Sequence, residues 1–213
     1  MKIIDQSYEI LTSTEDLESI PRMIEMAGRT CYKSEDKITN ASAPKFCKML
    51  IKRGHEAMVE HGNITVRFIT DRGVTHELVR HRIASFAQES TRYVNYKDSN
   101  MEFIRPAFDW APSIPVPKNP MVKFNLWATA MGQAENYYKG LSECGCSPQE
   151  ARSVLPNSLK TEIVVTANIR EWRQIFKLRT ATGAHPQIRE LMIPLLEHLQ
   201  GLLPELFEDI EGR

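Results

Sequence analysis

Polar side chains that could hold an anion are concentrated between Arg80 and Tyr93, in the sequence RHRIASFAQESTRY. The stretch contains three arginines, one histidine, two serines, a glutamine and a tyrosine. A guanidinium group is always charged and can donate two parallel hydrogen bonds to a carboxylate or a phosphate. The hydroxyl and amide groups nearby add further donors. The stretch therefore predicts a binding site for a small, oxygen-rich anion.

Arg80, His81 and Arg82 are consecutive, so on a helix their side chains would point about 100° apart. Such an arrangement could contact different parts of one large ligand, or two ligands. A solvated basic turn is the alternative interpretation, with Glu77 placed to form ion pairs on the same helix surface. The motif alone leaves both interpretations open.

Gln88, Ser90 and Arg92 alternate, and on a strand their side chains would share one face. That face would carry an amide, a hydroxyl and a guanidinium in a row, as the phosphate and sugar of a nucleotide require. A solvent-facing edge strand would have the same pattern. The nearby arginines favour the binding site.

Polar residues recur near the predicted ends of helices later in the chain. Asn168 and Arg170 stand at a strand-to-helix junction, where unpaired backbone N–H groups attract anions. Arg179 lies at the end of the same helix, where its charge also suits the helix dipole. Arg152 lies one turn after a helix start, and an exposed helix position is its alternative interpretation.

Metal binding is not predicted. The segment GHEAMVEHG does not have the HExxH spacing of a zinc peptidase, and a loop that closes over a ligand is the favoured interpretation. Cys31 and Cys47 are interpreted as buried small hydrophobic residues. Cys144 and Cys146 have no second cysteine pair nearby, so a plain turn is favoured over a metal or redox site.

The overall composition predicts one domain, residues 1–213, because a chain of this length buries one good core. The 27 basic and 27 acidic residues cancel, which excludes a general basic field for nucleic acid. The N-terminal sequence does not have a secretory signal, and no apolar run is long enough to span a bilayer. We therefore expect a cytoplasmic protein.

Hydrophobic periodicity predicts helices and strands without regular alternation, which favours an α+β fold. Helices are expected from Ser13 or Thr14, from Ser42 to Gly54, over 72–86, along the stripe Val122, Leu126, Ala130, Ala134, Tyr138 and Leu141, from the Ser147 cap, from Arg170 to about Leu178, and at the C-terminal end. Strands are expected at 2–11, 63–70, 90–96, 101–104 and 159–168, with a loop at the five prolines of 105–120.

RHRIASFAQESTRY resembles the signature of the flavin-dependent thymidylate synthases, an RHR followed by a serine and then serine–x–arginine. Three further segments agree in order and spacing, namely RGHEAMVEH, EARSVLP, and the stretch from Asn168 through Arg179 to Arg189-Glu190-Leu191. The resemblance covers roughly residues 50 to 192, which is most of the chain.

The resemblance implies the reductive methylation of dUMP to dTMP. Methylenetetrahydrofolate would supply the carbon, NADPH the reducing equivalents, and FAD would carry the hydride. It also implies an intertwined homotetramer with active sites between subunits. Each α+β subunit would have a small mixed or antiparallel sheet flanked by long helices. Neither nucleic acid nor a membrane is an expected partner.

The matching positions assign the site residues. Arg179 would be the catalytic residue, whose charge favours ionisation of the uracil nitrogen between the two carbonyls, so that carbon 5 becomes electron-rich. The residues at dUMP-binding positions are Glu77, Arg80, Gln88, Ser90, Arg92, Arg152 and Arg179. Those at FAD-binding positions are Arg80, His81, Arg82, Gln88, Asn168, Arg170 and Gln174.

Several residues depart from the family pattern. The departures are Glu77 for glutamine, Gln88 for an acid, Ala87 for asparagine, Ala57 for a hydroxyl residue, and Gly183 for histidine.

Three other functions are alternatives. The cysteine-dependent thymidylate synthases are excluded because no cysteine lies in a Pro-Cys-His setting. Neutral net charge disfavours a nucleic-acid binder. A flavoprotein of different chemistry is excluded least well, because flavin contacts do not name a substrate.

Overall fold

The computed structural model describes residues 1–108 and 120–212, which form the predicted α+β fold. The strands in these ranges are β1 (Lys2–Ile4), β2 (Ser7–Ile10), β3 (Asn63–Asp71), β4 (Ala84–Gln88), β5 (Glu102–Ile104) and β6 (Lys160–Asn168). The helices are α1 (Thr14–Tyr32), α2 (Ala43–Lys52), α3 (Arg72–Leu78), α4 (Pro120–Glu143), α5 (Pro148–Ala151), α6 (Ile169–Arg179), α7 (Pro186–Leu202) and α8 (Pro204–Phe207). Most of the predicted loop at 105–120 lies outside the described residues.

The strands form two sheets. Four strands pair in the order β2-β3-β6-β4, while β1 and β5 form a parallel pair with Lys2 opposite Glu102. In β3 and β6 every second residue is buried, which is the pattern of strands with one face on a core. The single strand predicted at 2–11 is wrong, because β1 and β2 are separate strands that belong to different sheets.

The chain divides into two compact units. Unit 1 comprises Met1–Ser7, Ile69–Glu77 and Gln88–Ile163. Its core contains Met101, Phe103, Met131, Tyr138 and Leu159. Unit 2 comprises Tyr8–Phe68, Leu78–Ala87 and Val164–Arg213. Its core contains a run of rings, with Trp172 stacked on Phe176 at 5.7 Å and Phe207 edge-on to Phe176 at 5.8 Å.

Helix starts follow the capping residues that the sequence predicts. Ser13 accepts a hydrogen bond from the Asp16 backbone at 3.1 Å, which caps α1. The Asn168 side chain accepts one from the Glu171 backbone at 2.9 Å, which caps α6. Ser147 and Glu150 form a capping box at α5. The caps predicted at Ser13 and Ser147 are confirmed, because each involves residues three positions apart, whereas Asn168 was predicted at the strand-to-helix junction but not as a cap.

The helix predicted over 72–86 is wrong beyond its first half. Helix α3 ends at Leu78, and β4 begins at Ala84 and pairs with β6. Val79 and Ile83, expected to point inward, are 40% and 72% exposed. The residues of β4 satisfy their backbone groups in the sheet, and this tertiary pairing overrides helix propensity.

The strand predicted over 90–96 is also wrong, because Ser90 begins a turn. The backbone N–H groups of Tyr93 and Val94 donate to the Ser90 carbonyl at 3.1 and 3.0 Å. The Ser90 hydroxyl accepts from the Arg92 backbone N–H at 3.3 Å. Serine readily makes such local bonds, which compete with a β-ladder. The row of Gln88, Ser90 and Arg92 on one strand face is therefore not formed.

The residues of α4 differ in burial along the helix. Met131, Glu135 and Tyr138 are buried, whereas Val122 and Leu126 from the predicted stripe, whose apolar spacing favours the core or a subunit contact, are 51% and 68% exposed. Of the two cysteines expected to be buried, Cys47 is buried and Cys31 is exposed. Helix α4 packs on the core of unit 1 through Met131 and Tyr138, with Trp127 and Leu141 partly buried against the same core.

Gly62 leaves room for the start of α6, and we expect Gly62→Ala to destabilise the fold. A Cβ at this position would lie 2.6 Å from Cγ2 of Ile20 and 3.1 Å from Cγ1 of Ile169. Both isoleucines are buried, so overpacking should lower the free energy of unfolding by about 1–3 kcal/mol. Urea denaturation measures the change.

Gly140→Ala is the matched control, because nothing lies within 4 Å of a Cβ placed there. In the exposed interior of α4 it should change stability by at most about 1 kcal/mol, in the stabilising direction. Equal stability of Gly62→Ala and the wild type would contradict the packing argument.

Candidate functional site

A row of hydrogen bonds links the turn that follows α3 to helix α6 in unit 2. His81 is 6% exposed, and its Nδ1 lies 3.1 Å from Oε1 of Glu171. On the other side of the ring, Nε2 accepts a hydrogen bond from Nε of Arg179 at 3.1 Å. Glu171 lies in the first turn of α6, where its backbone N–H donates to the side chain of the capping residue Asn168.

These hydrogen bonds define the protonation state of His81. A guanidinium N–H can only donate, so Nε2 must carry a lone pair and the ring proton must lie on Nδ1, where it donates to Glu171. Burial, followed by the Arg179 charge, lowers the pKa of His81, while Glu171 opposes the shift. His81 is therefore neutral at pH 7 and orients the guanidinium plane of Arg179.

A cavity of about 310 Å³ lies at the N-terminal part of α6 in unit 2. Three of the predicted cofactor residues line it, namely Asn168, Arg170 and Gln174. Arg173, Lys177 and the exposed Ile83 also line it. The structure thus brings together residues that the sequence places at a strand-to-helix junction and along the following helix.

Arg170 is held in place by two acids from the GHEAMVEH segment. Its Nη1 lies 2.6 Å from Glu60 and its Nε 3.2 Å from Glu56. Val59 is buried between them in the turn Met58–His61. The sequence predicts a loop near a ligand here, but it does not predict that the two glutamates orient an arginine 110 residues away.

A second cavity, of about 480 Å³, lies in unit 1 and is lined by Arg152. Arg72, His76 and the buried hydroxyl residue Thr91 line it as well. Arg152 is exposed and lies in the short 3₁₀ helix Arg152–Val154, which directly follows α5. Arg72 was not predicted as a site residue, because it lies outside the RHR motif and precedes it by eight positions.

The remaining predicted residues are distributed over both units. Gln88 donates from its amide nitrogen to the hydroxyls of Thr75 at 3.0 Å and Thr161 at 3.3 Å, which anchors the end of β4 within unit 1. Glu77 is partly buried on α3. Ser90 and Arg92 lie at the turn in unit 1, where the Arg92 guanidinium sits 5.5 Å from the Tyr93 ring centre.

Arg80 and Arg82 are both exposed, on either side of buried His81 in the turn that follows α3. Three consecutive residues therefore do point in different directions, as the motif requires, although they lie in a turn and not on a helix. His81 is buried, so it is not part of a solvated basic turn.

No cluster of metal-ligating side chains is present in residues 1–108 and 120–212. Cys144 and Cys146 flank Gly145, which adopts a φ of 91° at the end of α4 and makes the predicted plain turn. Within the same ranges, no helix is both long and apolar enough to cross a membrane.

Comparisons with known proteins agree with the motifs. The Thy1 family model, described as thymidylate synthase complementing protein, matches residues 11–205. A flavin-dependent thymidylate synthase of Geobacter sulfurreducens is 30% identical over 207 residues, covering 94% of this chain and 84% of that protein. One from Mycobacteroides abscessus is 35% identical over 210 residues, covering 92% and 82%.

A solved structure shares the fold. It is that of the UMP/dUMP methylase PolB from Streptomyces cacaoi, bound with 5-Br dUMP. The TM-score is 0.78 at 24% sequence identity, and the match covers 98% of this chain and 96% of that one.

The hydrogen bonds of His81 predict its tautomer and the direction of its pKa shift. We expect its Nε2 to stay unprotonated at pH 7 and its pKa to lie below 6.5, the ordinary value for histidine. In Glu171→Gln the charge that opposes this shift is lost, so the pKa should fall further. Long-range ¹H–¹⁵N NMR of histidine-labelled protein between pH 5 and 8 measures both the tautomer and the pKa.

Glu208→Gln serves as the control, since Glu208 pairs with Lys48 on the surface, and should leave the His81 signals unchanged. An Nε2 that carries a proton at pH 7 would overturn the assignment. Because the native pKa is lowered, the contribution of His81 to stability is present above about pH 6.5 and is lost as the pH falls towards the native pKa.

Proposed function

The chain belongs to the flavin-dependent thymidylate synthase family, and from this premise we propose that it converts dUMP to dTMP by reductive methylation. It is an enzyme of the methyltransferase type, with FAD as its cofactor. Methylenetetrahydrofolate donates the carbon and NADPH supplies the reducing equivalents. Carbon 5 of the uracil loses a proton and gains the methylene carbon, which two electrons from NADPH reduce to a methyl group.

The family match over residues 11–205 is the observation that carries this proposal. It is supported by the agreement between the motif positions and the geometry. Three cofactor positions line one cavity in unit 2, and the catalytic position Arg179 is bonded to a residue of the RHR motif. The likeness to the PolB structure supports the fold alone.

Arg179 is the proposed catalytic residue, and its task is electrostatic. A fixed guanidinium next to the uracil ring stabilises the negative charge that develops when the ring nitrogen loses its proton. Electron density then reaches carbon 5, which becomes nucleophilic. The hydrogen bond to neutral His81 contributes by holding the guanidinium in one orientation without adding a second positive charge beside it.

The donors that line the unit 2 cavity fit FAD. Arg173 binds Asp209 through Nη1 and Nη2 at 2.7 and 2.6 Å, while its buried Nε has no hydrogen-bond partner among the described residues. Such N–H groups suit a diphosphate or a ring carbonyl. Asn168, Arg170 and Gln174 would hold the cofactor there. The motif residues Arg80, His81, Arg82 and Gln88 are further proposed FAD contacts. When bound, FAD supplies the hydride chemistry.

The proposed dUMP residues are Glu77, Arg80, Gln88, Ser90, Arg92, Arg152 and Arg179. Ser90 and Arg92 occupy a polar turn, and Arg152 lines the unit 1 cavity. A role of Ser90 as a covalent nucleophile is disfavoured, because its recorded hydrogen bond is to a backbone N–H and not to a base. A phosphate-binding role suits a hydroxyl beside an arginine better.

We further propose an intertwined homotetramer with active sites between subunits. Several large apolar side chains that are exposed in the single chain support this, among them Ile83 at 72%, Leu126 at 68% and Tyr93 at 79%. Contacts between subunits would cover such residues. Ile83 also lines the unit 2 cavity, so a neighbouring subunit at Ile83 would contribute a wall to that cavity. One catalytic domain over residues 1–213 and a cytoplasmic location stay predictions.

Arg179→Ala should reduce turnover by at least about 100-fold, because it removes the charge that stabilises the ionised base. Bound FAD should be largely retained, as read from the ratio of flavin to protein absorbance. The assay is the release of tritium from carbon 5 of labelled dUMP, dependent on NADPH and methylenetetrahydrofolate.

Arg67→Ala is a control for the loss of an arginine, since Arg67 pairs with Glu9 on the surface. Retained turnover in Arg179→Ala would show that the ring-activating charge lies elsewhere. Absence of tritium release from the wild type, despite bound FAD, would refute the proposed reaction.

Ser90→Ala should weaken dUMP binding by roughly 10- to 100-fold, the effect of losing a hydrogen bond to a charged group. Residual activity should persist at saturating dUMP. Isothermal titration and steady-state kinetics separate the two quantities, and Ser85→Ala on exposed β4 is the matched control. Complete loss of activity with intact dUMP affinity would instead support a covalent role for Ser90.

A further inference from the structure

The unit 1 cavity is built to take an anion. Arg72 and Arg152 line it, and the remaining described lining residues include hydroxyl and amide groups but no aspartate or glutamate. Two guanidinium groups without a lining acid give the cavity a positive potential. Thr91 adds a hydroxyl on a residue that is only 5% exposed.

Arg72 has an unsatisfied donor inside the protein. Its Nη1 is buried and has no hydrogen-bond partner among the described residues. A buried N–H of a charged group without an acceptor is costly, more so than a neutral one. The cost is removed if an anionic oxygen enters the cavity, so the geometry points to a ligand and not to a structural ion pair.

The acids near Arg72 already have other partners. The Asp71 carboxylate accepts from the Val74 backbone N–H at 2.7 Å, at the start of α3. Glu89 accepts from the Tyr96 hydroxyl at 2.6 Å and pairs with Lys160 at 3.3 Å. None of these contacts is made with the Arg72 guanidinium.

Arg72 and Arg152 are held on the same cavity by the backbone. The Arg72 N–H donates to the Asn157 carbonyl at 2.9 Å, and the Leu155 N–H donates to the Arg152 carbonyl at 3.1 Å. The Thr75 hydroxyl donates to the Arg72 carbonyl at 3.0 Å, which secures the first turn of α3. The backbone that carries both arginines is therefore fixed before any ligand arrives, which lowers part of the entropic cost of binding.

We propose that Arg72 is a ligand of the substrate phosphate, and that the cavity it shares with Arg152 holds the 5′-phosphate of dUMP. This rests on the proposed function, in which Arg152 occupies a dUMP position. Arg72 adds a residue that lies outside the family signature. Its role is to distinguish the nucleotide from the nucleoside, since a phosphate supplies the acceptor that Nη1 needs.

The test compares dUMP with deoxyuridine, which has the same base and sugar but no phosphate. Arg72→Gln should weaken dUMP binding at least about tenfold in isothermal titration, and deoxyuridine binding less than threefold, since a charge-assisted hydrogen bond is lost only with dUMP. Arg72→Lys keeps the charge and should lie between Arg72→Gln and the wild type. Arg105→Gln, whose arginine pairs with Asp5 on the surface of unit 1, should not change either affinity.

Unchanged dUMP affinity in Arg72→Gln, or equal loss for dUMP and deoxyuridine, would overturn the proposal. A raised KM for NADPH with unchanged dUMP affinity would also overturn it, because the cavity would then hold a phosphate of the other co-substrate.

Inorganic phosphate separates this proposal from the proposed function. It should raise the melting temperature of the wild type, and Arg72→Gln should lose that increase when each protein is compared with its own phosphate-free sample. If phosphate binds through Arg72 but the wild type does not methylate dUMP, the anion site stands and the proposed reaction fails. If phosphate has the same effect on both proteins, the assignment of Arg72 fails whatever the activity.

Discussion

The hydrogen bond between Nε of Arg179 and Nε2 of His81 is the constraint on which the proposed chemistry depends. Because arginine can only donate, this bond requires a neutral histidine, and a neutral histidine must then donate through Nδ1 to Glu171. Glu171 therefore fixes the tautomer of His81, and His81 in that tautomer accepts from Arg179. The result is a cationic group of defined orientation at the end of α6, supported by buried partners and by the Asn168 cap at the other end of the same helix.

Two buried guanidinium donors without partners among the described residues mark where the protein differs from an optimally stable one. The first donor, Nη1, belongs to Arg72, a lining residue of the unit 1 cavity, and the second, Nε, belongs to Arg173, a lining residue of the unit 2 cavity. Native proteins leave few such groups, and those that remain call for an explanation. In both units the explanation proposed is an anionic oxygen, from the dUMP phosphate in unit 1 and from FAD in unit 2. These unpartnered donors lower the stability of the free protein at the positions where the ligands are proposed to bind.

Acidic residues orient some of the arginines that line the two cavities. Arg170 is paired with Glu56 and Glu60, and Arg173 with Asp209, so these side chains are oriented by the protein itself. Arg72 and Arg152 line a cavity whose described lining residues include no aspartate or glutamate. A paired guanidinium is oriented by its acid and can still donate through its remaining N–H groups, whereas one that lacks an acid can also neutralise a phosphate. The same residue type therefore performs different tasks according to its surroundings.

The sequence by itself determined the family, the caps at Ser13 and Ser147, and the strands β3 and β6, because these depend on residue types at short, regular spacings. It was wrong over 79–96, where pairing of β4 with β6 and local bonds at Ser90 replaced a helix and a strand. Only the tertiary structure placed Glu171 and Arg179 beside His81, across 90 and 98 positions, and Arg72 beside Arg152. Periodicity records which face of an element is buried, but it does not record which distant side chain lies opposite. That choice is made when the elements pack.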